Sequence, residues 1–519
     1  MSSRVDTRVG PSEPEPPEID PVDIQLSYPG TDRPTSDLRH HVARGTIINA
    51  LFRVGLAGLL LLQRLIVAAF LTAAEFGLWG LIFVALMTVM FIKNAGIGDK
   101  FVQQSESDQE AAFQKAFTIE LMVTGVMVVV GALAMPVFAL VYGRTDIIVP
   151  GIVLCLAVLG NSLQAPTWIY YRNMDFLRQR VLESVQPVVM FVVAVTLAIS
   201  GAGYWSLILG ALIGAWAGGL VALRACPYRI RWRFHRPAIG EYFHFSWPLV
   251  TASAGVIVVV QGSMLVGSHT VGLAGVGAIG LGAAIIQFAD GVDAIVTQAL
   301  YPAVCAVRER TELLFEAFVK SNRLALMWGV PFGLGLTLFA SDLVHFVIGD
   351  SWEPAIVILQ FFGVIAAIEQ LGFNWTAFLR ARNETRPLAV IALAMVVLFL
   401  AVTVPLLIVA GLEGYAIGML VMSLGTLVLR SYYLARLFSG FQMVRHTIRA
   451  VGPSIPAVGV VLGMRLLEGP PRSPGMALAE LAVYAAVTAA ATYAFERSLL
   501  SEVWGYVRPA AARPARAAG

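Results

Sequence analysis

Ala73-Ala74-Glu75-Phe76-Gly77-Leu78-Trp79-Gly80-Leu81 joins one long apolar run to the next, and Leu273-Ala274-Gly275-Val276-Gly277-Ala278-Ile279-Gly280-Leu281 does the same later in the chain. Gly77, Gly80 and Leu81 fall on Gly277, Gly280 and Leu281 at one constant offset, which marks an internal repeat. Upstream of the first copy, residues 45–72 are apolar apart from a few polar positions that include Arg53 and Arg64. Downstream, the run over 76–97 ends in Lys93-Asn94-Ala95-Gly96-Ile97-Gly98-Asp99-Lys100.

The composition sets the solvent. The chain has 519 residues, 58% of them hydrophobic and only 13% charged, against about 25% charged in soluble proteins. Lipid-facing helices carry charge at a cost, so the deficit fits a polytopic membrane protein. The net charge of +3 is too small to point to nucleic acid. Cys155, Cys226 and Cys305 are far apart and make no ligand spacing, so they read as packing residues. No metal or other cofactor is expected.

A helix needs about 20 apolar residues to cross the hydrocarbon. Runs of that order lie at 45–72, 76–97, 113–142, 147–170, 184–200 and 204–223, then at 245–267, 275–303, 323–340, 354–378, 388–410 and 414–434. A last pair lies at 451–467 and 476–495. The expected fold class is an all-α polytopic membrane protein of about 14 transmembrane helices. Two six-helix halves, 39–223 and 245–435, would surround a central cavity, followed by the additional pair within 436–497. Residues 1–38, rich in Pro and charge, read as a disordered tail, and 498–519 as a second tail.

The connections are of two kinds that alternate. One kind is basic, as at Arg172, Arg178 and Arg180, at Arg308, Arg310 and Lys320, and at Arg380, Arg382 and Arg386. The other is short and nearly free of Lys and Arg, as at 73–75, 201–203, 268–274 and 411–413. The positive-inside rule then places the basic loops and both termini in the cytoplasm. Six crossings per half give both halves the same orientation, related by an axis along the membrane normal, with the substrate path between them. Arg172-Asn173 after the fourth run and Arg382-Asn383 after the tenth are a second echo of the repeat.

Charges inside apolar runs are expensive and mark functional candidates. Arg53 and Arg64 are eleven apart, about three helical turns, and share one helix face. With Lys93 they make a line of cations suited to an anionic group such as a pyrophosphate, which arginine grips with paired hydrogen bonds. Snorkelling of Arg53 to the surface is the plain alternative. Asp290 and Asp293, one turn apart, are candidates for binding a coupling cation or for gating against arginines of the other half. Glu369 belongs with them and gives its run a polar stripe with Gln370 and Asn374. Asn94, Gln261 and Asn374 are candidate cavity residues; like Asn161 and Gln164, they serve equally well as helix-to-helix hydrogen bonders.

Residues 224–244 form a basic linker in which Tyr228, Ile230, Trp232 and Phe234 alternate with Arg229, Arg231 and Arg233. Beside a membrane helix this reads as an anchor on anionic lipid, continued by an interfacial helix at 237–247. Gly275-Val276-Gly277-Ala278-Ile279-Gly280 matches a dinucleotide fingerprint, but it follows a membrane helix rather than a strand, so close helix packing is the better account.

Four stretches resemble one known family. Glu75-Phe76-Gly77-Leu78-Trp79-Gly80 is similar to its turn after the first helix, and Asn94-Ala95-Gly96-Ile97-Gly98 to the end of its second. Arg172-Asn173-Met174-Asp175-Phe176-Leu177-Arg178 resembles its cytoplasmic loop, and Phe243-His244-Phe245-Ser246-Trp247-Pro248-Leu249 its entry to the second half. The family is the polysaccharide transporter, or oligosaccharide flippase, branch of the multidrug/oligosaccharidyl-lipid/polysaccharide exporter superfamily. The resemblance implies a non-enzymatic flippase that carries an undecaprenyl-pyrophosphate-linked repeat unit across the bacterial inner membrane by alternating access. Its product feeds exopolysaccharide, capsule or O-antigen synthesis. It implies a lipid-linked oligosaccharide substrate, membrane lipids, a proton or sodium gradient, and a polymerase with chain-length and export machinery as partners. A multidrug exporter and a lipid II flippase are the alternatives on the same scaffold. A membrane-embedded polymerase would need a large catalytic loop, and the short connections here offer none.

Overall fold

The computed structural model describes residues 35–90, 97–104, 106–234, 254–306, 309–382, 384, 386–438, 441–443, 447–448, 451–468 and 472–507. Residues 45–519 form one compact unit and 1–44 another. Among the described residues there is no strand. Hydrocarbon offers no partner for backbone N–H and C=O groups, so a chain this apolar closes its hydrogen bonds within helices.

The first half contains α1 (Thr35–Phe70), α2 (Ala73–Met90), α3 (Ile97–Gln103), α4 (Gln109–Tyr142), α5 (Ile148–Ser162), α6 (Thr167–Arg172), α7 (Phe176–Ile199) and α8 (Trp205–Arg224). The second contains α9 (Ala254–Thr270), α10 (Gly272–Ala306), α11 (Thr311–Leu343), α12 (Ala355–Glu369), α13 (Trp375–Ala381), α14 (Arg386–Leu398) and α15 (Val404–Leu437). The last pair is α16 (Ile455–Glu468) and α17 (Pro474–Val507). Among the described residues, ten helices are long and apolar enough to cross a membrane, and 255–270, 355–369 and 452–467 are shorter apolar helices. Each expected run overlaps described helix, although 91–96 and 245–253 lie outside the described residues, and the protein is an all-helical polytopic chain.

Three expectations need correction. The tail assigned to 1–38 ends earlier, because α1 begins at Thr35; the rest of that tail lies outside the described residues. The run at 147–170 is not one helix. α5 stops at Ser162, and the chain turns before α6, where Pro166 has no N–H to continue the ladder. The run at 354–378 breaks the same way, into α12 and α13 around Gly372, whose φ is +71°. The two halves therefore repeat an interrupted fourth helix as well as a glycine motif. Arg172 and Arg382, the echoed arginines, sit just past these breaks. Arg172 Nη1 donates to the carbonyls of Phe101 at 3.2 Å and Val102 at 2.6 Å, and Arg382 donates to Thr311 Oγ1. Both tie their short helix to a neighbouring one. The interfacial helix expected at 237–247 lies outside the described residues.

Helix starts follow local chemistry. Thr72 and Glu75 form a capping box on α2: Glu75 Oε2 accepts from the Thr72 N–H and hydroxyl, both at 2.9 Å, and the Glu75 N–H donates to Thr72 Oγ1 at 3.3 Å. Asp108 Oδ1 accepts from the Ala111 N–H at 2.9 Å and Asp175 Oδ1 from that of Arg178 at 3.2 Å, opening α4 and α7. Within 386–437 a π turn at Phe399–Thr403 precedes Pro405, and the chain reverses at Gly411, φ +60° and ψ −137°. The descending contacts of Gly414 with Leu406, Gly418 with Thr403 and Gly425 with Leu398 show the two arms running antiparallel.

The core divides along the membrane normal. At the end carrying the short connections, one cluster spans both halves, with Leu81, Ile82 and Leu154 against Val276, Leu281, Leu359 and Trp352. At the basic end each half has its own cluster: Phe101, Phe113 and Phe117 in the first, Phe318, Phe378 and Phe438 in the second. Among the described residues, the halves share one core cluster at the short-loop end and have separate clusters at the basic end.

The last pair clamps α11. Arg465 and Arg472 share Asp342, at 2.9 and 3.0 Å, and Glu480, at 3.0 and 2.8 Å. The hydrogen bond to Glu480 holds the Arg472 guanidinium above its ordinary value, with Asp342 adding to it. Further along, the Tyr484 hydroxyl donates to the Pro331 carbonyl at 2.8 Å, and Arg323 pairs with Glu496.

Candidate functional site

The candidate site lies where the two halves face each other, and its short-loop end is built from the repeated glycines. A Cβ on Gly77 would stand 2.0 Å from the Leu273 carbonyl oxygen, and one on Gly277 would stand 1.9 Å from that of Ala73. Gly80 meets Val276 at 4.0 Å while Gly280 meets Phe76 at 3.8 Å. Each contact is returned by its counterpart in the other copy, the signature of a two-fold axis running between the two helices. The repeat is thus a self-complementary crossing of α2 on α10, backbone against backbone.

Trp352, fully buried, completes the seal. Its indole N–H donates to the carbonyls of Ala68 at 2.8 Å and Leu71 at 3.0 Å, so a second-half residue satisfies the orphan carbonyls at the end of α1. Phe76 meets the Trp352 ring edge-on at 5.3 Å.

Below the seal the surfaces become polar. Arg64 Nη2 donates to Gln287 Oε1 at 3.3 Å, from the first half to the second. Gln287 is exposed although it lies midway along α10. Gln261 links the halves as well: its Nε2 donates to the Tyr142 hydroxyl at 2.7 Å and its Oε1 accepts from the Thr88 hydroxyl at 3.2 Å. Towards the basic end, Arg53 lies half-buried on α1, within electrostatic range of Arg180, Glu183 and Tyr171. Along α1 between them, Gly55 and Gly58 have nothing within 4 Å of where a Cβ would sit. The helix is gripped at Gln63, Val67 and Ala68, with Leu71 buried just past its end, and its described residues before Leu61 are exposed or half-buried.

Other candidates go elsewhere. Asn374, expected in the cavity, is buried within the second half, where its Nδ2 donates to Ser321 Oγ at 2.7 Å. Glu369, expected to couple or gate, has its carboxylate on Arg430 at 2.6 Å and Ser423 at 2.6 Å, both in its own half. Arg430 also donates to the carbonyls of Glu369 and Leu371, so this pair braces the break between α12 and α13. Gln164 donates to Gln186 at 2.6 Å, a contact between helices of one half. Lys93 and Asn94 lie outside the described residues. So do the side chains of Asp290 and Asp293, whose backbone continues α10 beyond Gln287. The sequence gives no sign of Trp352, and offers Gln287 only as a neighbour of Asp290 and Asp293. A lone tryptophan in a short connection carries no periodic signal, and one glutamine in an apolar run carries little.

The model of the family described as polysaccharide biosynthesis protein matches residues 66–357, more than half of the chain. The succinoglycan biosynthesis transport protein ExoT of Rhizobium meliloti (strain 1021) is 24% identical over 328 residues, covering 60% of this chain and 64% of that one. The lipopolysaccharide biosynthesis protein WzxC of Escherichia coli (strain K12) is 21% identical over 364 residues, 64% of this chain and 69% of that one. The chain thus spans about two thirds of the length of these relatives.

Among solved structures, the lipid II flippase MurJ in an inward closed conformation superposes with a TM-score of 0.66 at 13% identity, over 88% of this chain and all of that one. An inward-facing multidrug resistance transporter of the MATE family superposes with a TM-score of 0.58 at 14% identity, over 75% and 98%. These likenesses concern the fold. With more than half of the chain matched, the chain belongs to the family described as polysaccharide biosynthesis protein, and its helical fold is that of a polytopic membrane protein.

Proposed function

We propose that this protein flips a polyprenyl-pyrophosphate-linked saccharide unit across a bacterial inner membrane by alternating access, for assembly into a surface polysaccharide. The observation that carries this reading is the core, shared by both halves at the short-loop end and separate at the basic end among the described residues, with Arg64 reaching from one half to Gln287 of the other. The positive-inside rule assigns the basic end to the cytoplasm, where a lipid-linked unit is made. Arg64 and Arg53 would hold the pyrophosphate. Asp290 and Asp293 on α10, with Lys93 and Asn94 on the other half, remain candidates for cation coupling and for the anion path. A polymerase and export machinery would take the product. The names of ExoT and WzxC support a polysaccharide cargo. A multidrug exporter of this fold is the second reading; Arg64 between the halves disfavours a cationic cargo.

Replacing Arg64 tests the assignment. Hydrogen bonds to charged groups contribute about 1.5–3 kcal/mol, so Arg64→Gln is expected to lower polymer export by roughly tenfold to a hundredfold. Arg64→Lys, which keeps the charge and loses the fork, is expected to fall between. Surface polymer is scored against the amount of protein in the membrane. Export at the native level in Arg64→Gln contradicts the assignment.

A further inference from the structure

The basic linker after α8 is held against the first half. The Tyr170 hydroxyl donates to the Ala225 carbonyl, and the Tyr228 ring packs on Phe113 at 6.0 Å. Beyond them one polar stripe of α4 binds the linker backbone. The Arg229 N–H donates to Glu110 Oε1 at 3.2 Å, the Arg229 carbonyl accepts from Gln114 Nε2 at 2.8 Å, and the Arg233 N–H donates to Thr118 Oγ1 at 2.9 Å. Glu110, Gln114 and Thr118 follow at intervals of four and share one helix face. From 110 to 118 a helix rises about 12 Å, and from 229 to 233 an extended chain covers about 13 Å. The lengths match only for an extended segment laid edge-on along α4. Gln114 and Thr118 are buried beneath it. An extended chain sends alternate side chains to opposite faces. Arg229, Arg231 and Arg233 thus take one face, and Ile230, Trp232 and Phe234 the other. All six are exposed, Trp232 at 74%. Among the described residues none of the three arginines is in an ion pair.

We propose that Arg229, Arg231 and Arg233, held in register by α4, form a binding site for the phosphate groups of anionic phospholipids, with Ile230, Trp232 and Phe234 seated in the interfacial layer. The ties to α4 order the backbone before a lipid arrives, so little conformational freedom is lost on binding. The arginines recur every second residue, about 7 Å apart, and no acid neutralises them. Glu110 does not compete for them, because its Oε1 accepts from the Arg229 N–H and from Gln114 Nε2. The segment begins five residues after α8 ends at Arg224, and α8 is long and apolar enough to cross a membrane. It therefore lies at a membrane edge, where ring side chains favour the interface and arginines meet anionic head groups. The site requires a membrane and no particular cargo, so it is independent of the flippase reading.

The test titrates the purified full-length protein with dioleoyl phosphatidylglycerol and, separately, with dioleoyl phosphatidylcholine, and counts bound lipid by native mass spectrometry. Arg229→Gln, Arg231→Gln and Arg233→Gln change exposed side chains and leave the packing intact. Each is expected to bind phosphatidylglycerol about fivefold more weakly, and the triple variant about a hundredfold more weakly. Phosphatidylcholine binding should not change. Gln114→Leu/Thr118→Val keeps every arginine and removes two ties to α4; a held site predicts about tenfold weaker binding of phosphatidylglycerol. Should that variant lose its native size-exclusion profile, Arg231→Trp/Trp232→Arg takes its place. The exchange keeps composition and charge but turns one arginine to the other face, and is expected to weaken binding about fivefold. Native binding in the triple variant, or an equal loss for both lipids, overturns the proposal. So does full-strength binding in the charge-preserving variant, because charge alone would then attract the lipid. Farnesyl pyrophosphate that displaces phosphatidylglycerol at equal concentration would assign the arginines to the cargo instead and overturn the assignment to phospholipid.

Discussion

Gly77→Ala is expected to abolish most export although it adds a single methyl group. That methyl would stand 2.0 Å from the Leu273 carbonyl oxygen, where a carbon-to-oxygen contact needs about 3.3 Å. No rotamer relieves the clash, because one partner is backbone and the other is a Cβ. α2 and α10 must therefore separate by about 1 Å, and the buried layer of Leu81, Val276 and Leu281 loses contact along its length. Overpacking of this kind costs about 1–3 kcal/mol. Here the strain also falls on the contact that holds one conformation of a transporter. Gly277→Ala meets the Ala73 oxygen in the same way and should behave alike. Once the helices have parted for one methyl group, the second costs less. The double variant should therefore be less damaged than two independent losses predict. Export and thermal stability of the purified variants measure this; strict additivity would mean that the two glycines do not share one crossing.

The second large effect is expected at Arg430. Its guanidinium holds the Glu369 carboxylate at 2.6 Å together with the carbonyls of Glu369 and Leu371. Arg430→Met leaves a partly buried carboxylate and two carbonyls without their donor. Breaking a buried pair costs about 3–5 kcal/mol, and the partial exposure of Glu369 points to the lower end. Little protein should reach the membrane. Removing both charges, as Arg430→Met with Glu369→Leu, should recover part of the stability, since the stranded charge is gone. The carbonyls stay unsatisfied, so recovery is incomplete. Membrane abundance and detergent melting follow both. A double variant no better than Arg430→Met alone would mean that the carbonyl contacts, not the ion pair, hold this bend.

These residues also show how far the sequence could be read. The apolar runs announce the helices because length and hydrophobicity alone decide what spans a membrane. The constant offset from Gly77 to Gly277 reveals a repeat, but not that the two copies touch. Only their reciprocal contacts establish the axis. The structure adds the capping box of Thr72 and Glu75, a T-x-x-E pattern before an apolar run that was not singled out in the sequence. Which polar groups meet the opposite half was less legible. Glu369 and Asn374 are as polar as Gln261 and Gln287, yet the first two find partners in their own half and the others meet the opposite half. The pairing depends on how two halves dock, which helical periodicity does not encode. Arg180 reads from the sequence only as part of a basic loop, and its partner Glu183 is not singled out.

The account's central claim is tested most directly by locating the lipid-linked repeat unit in cells that lack this protein. Spheroplasts of a deletion strain are treated from outside with a glycosidase that cleaves the repeat unit. The account predicts complete units that are protected from the enzyme, and units that become cleavable when the native chain is restored. Units equally cleavable with and without the protein would contradict it, because they would then cross the membrane by another route.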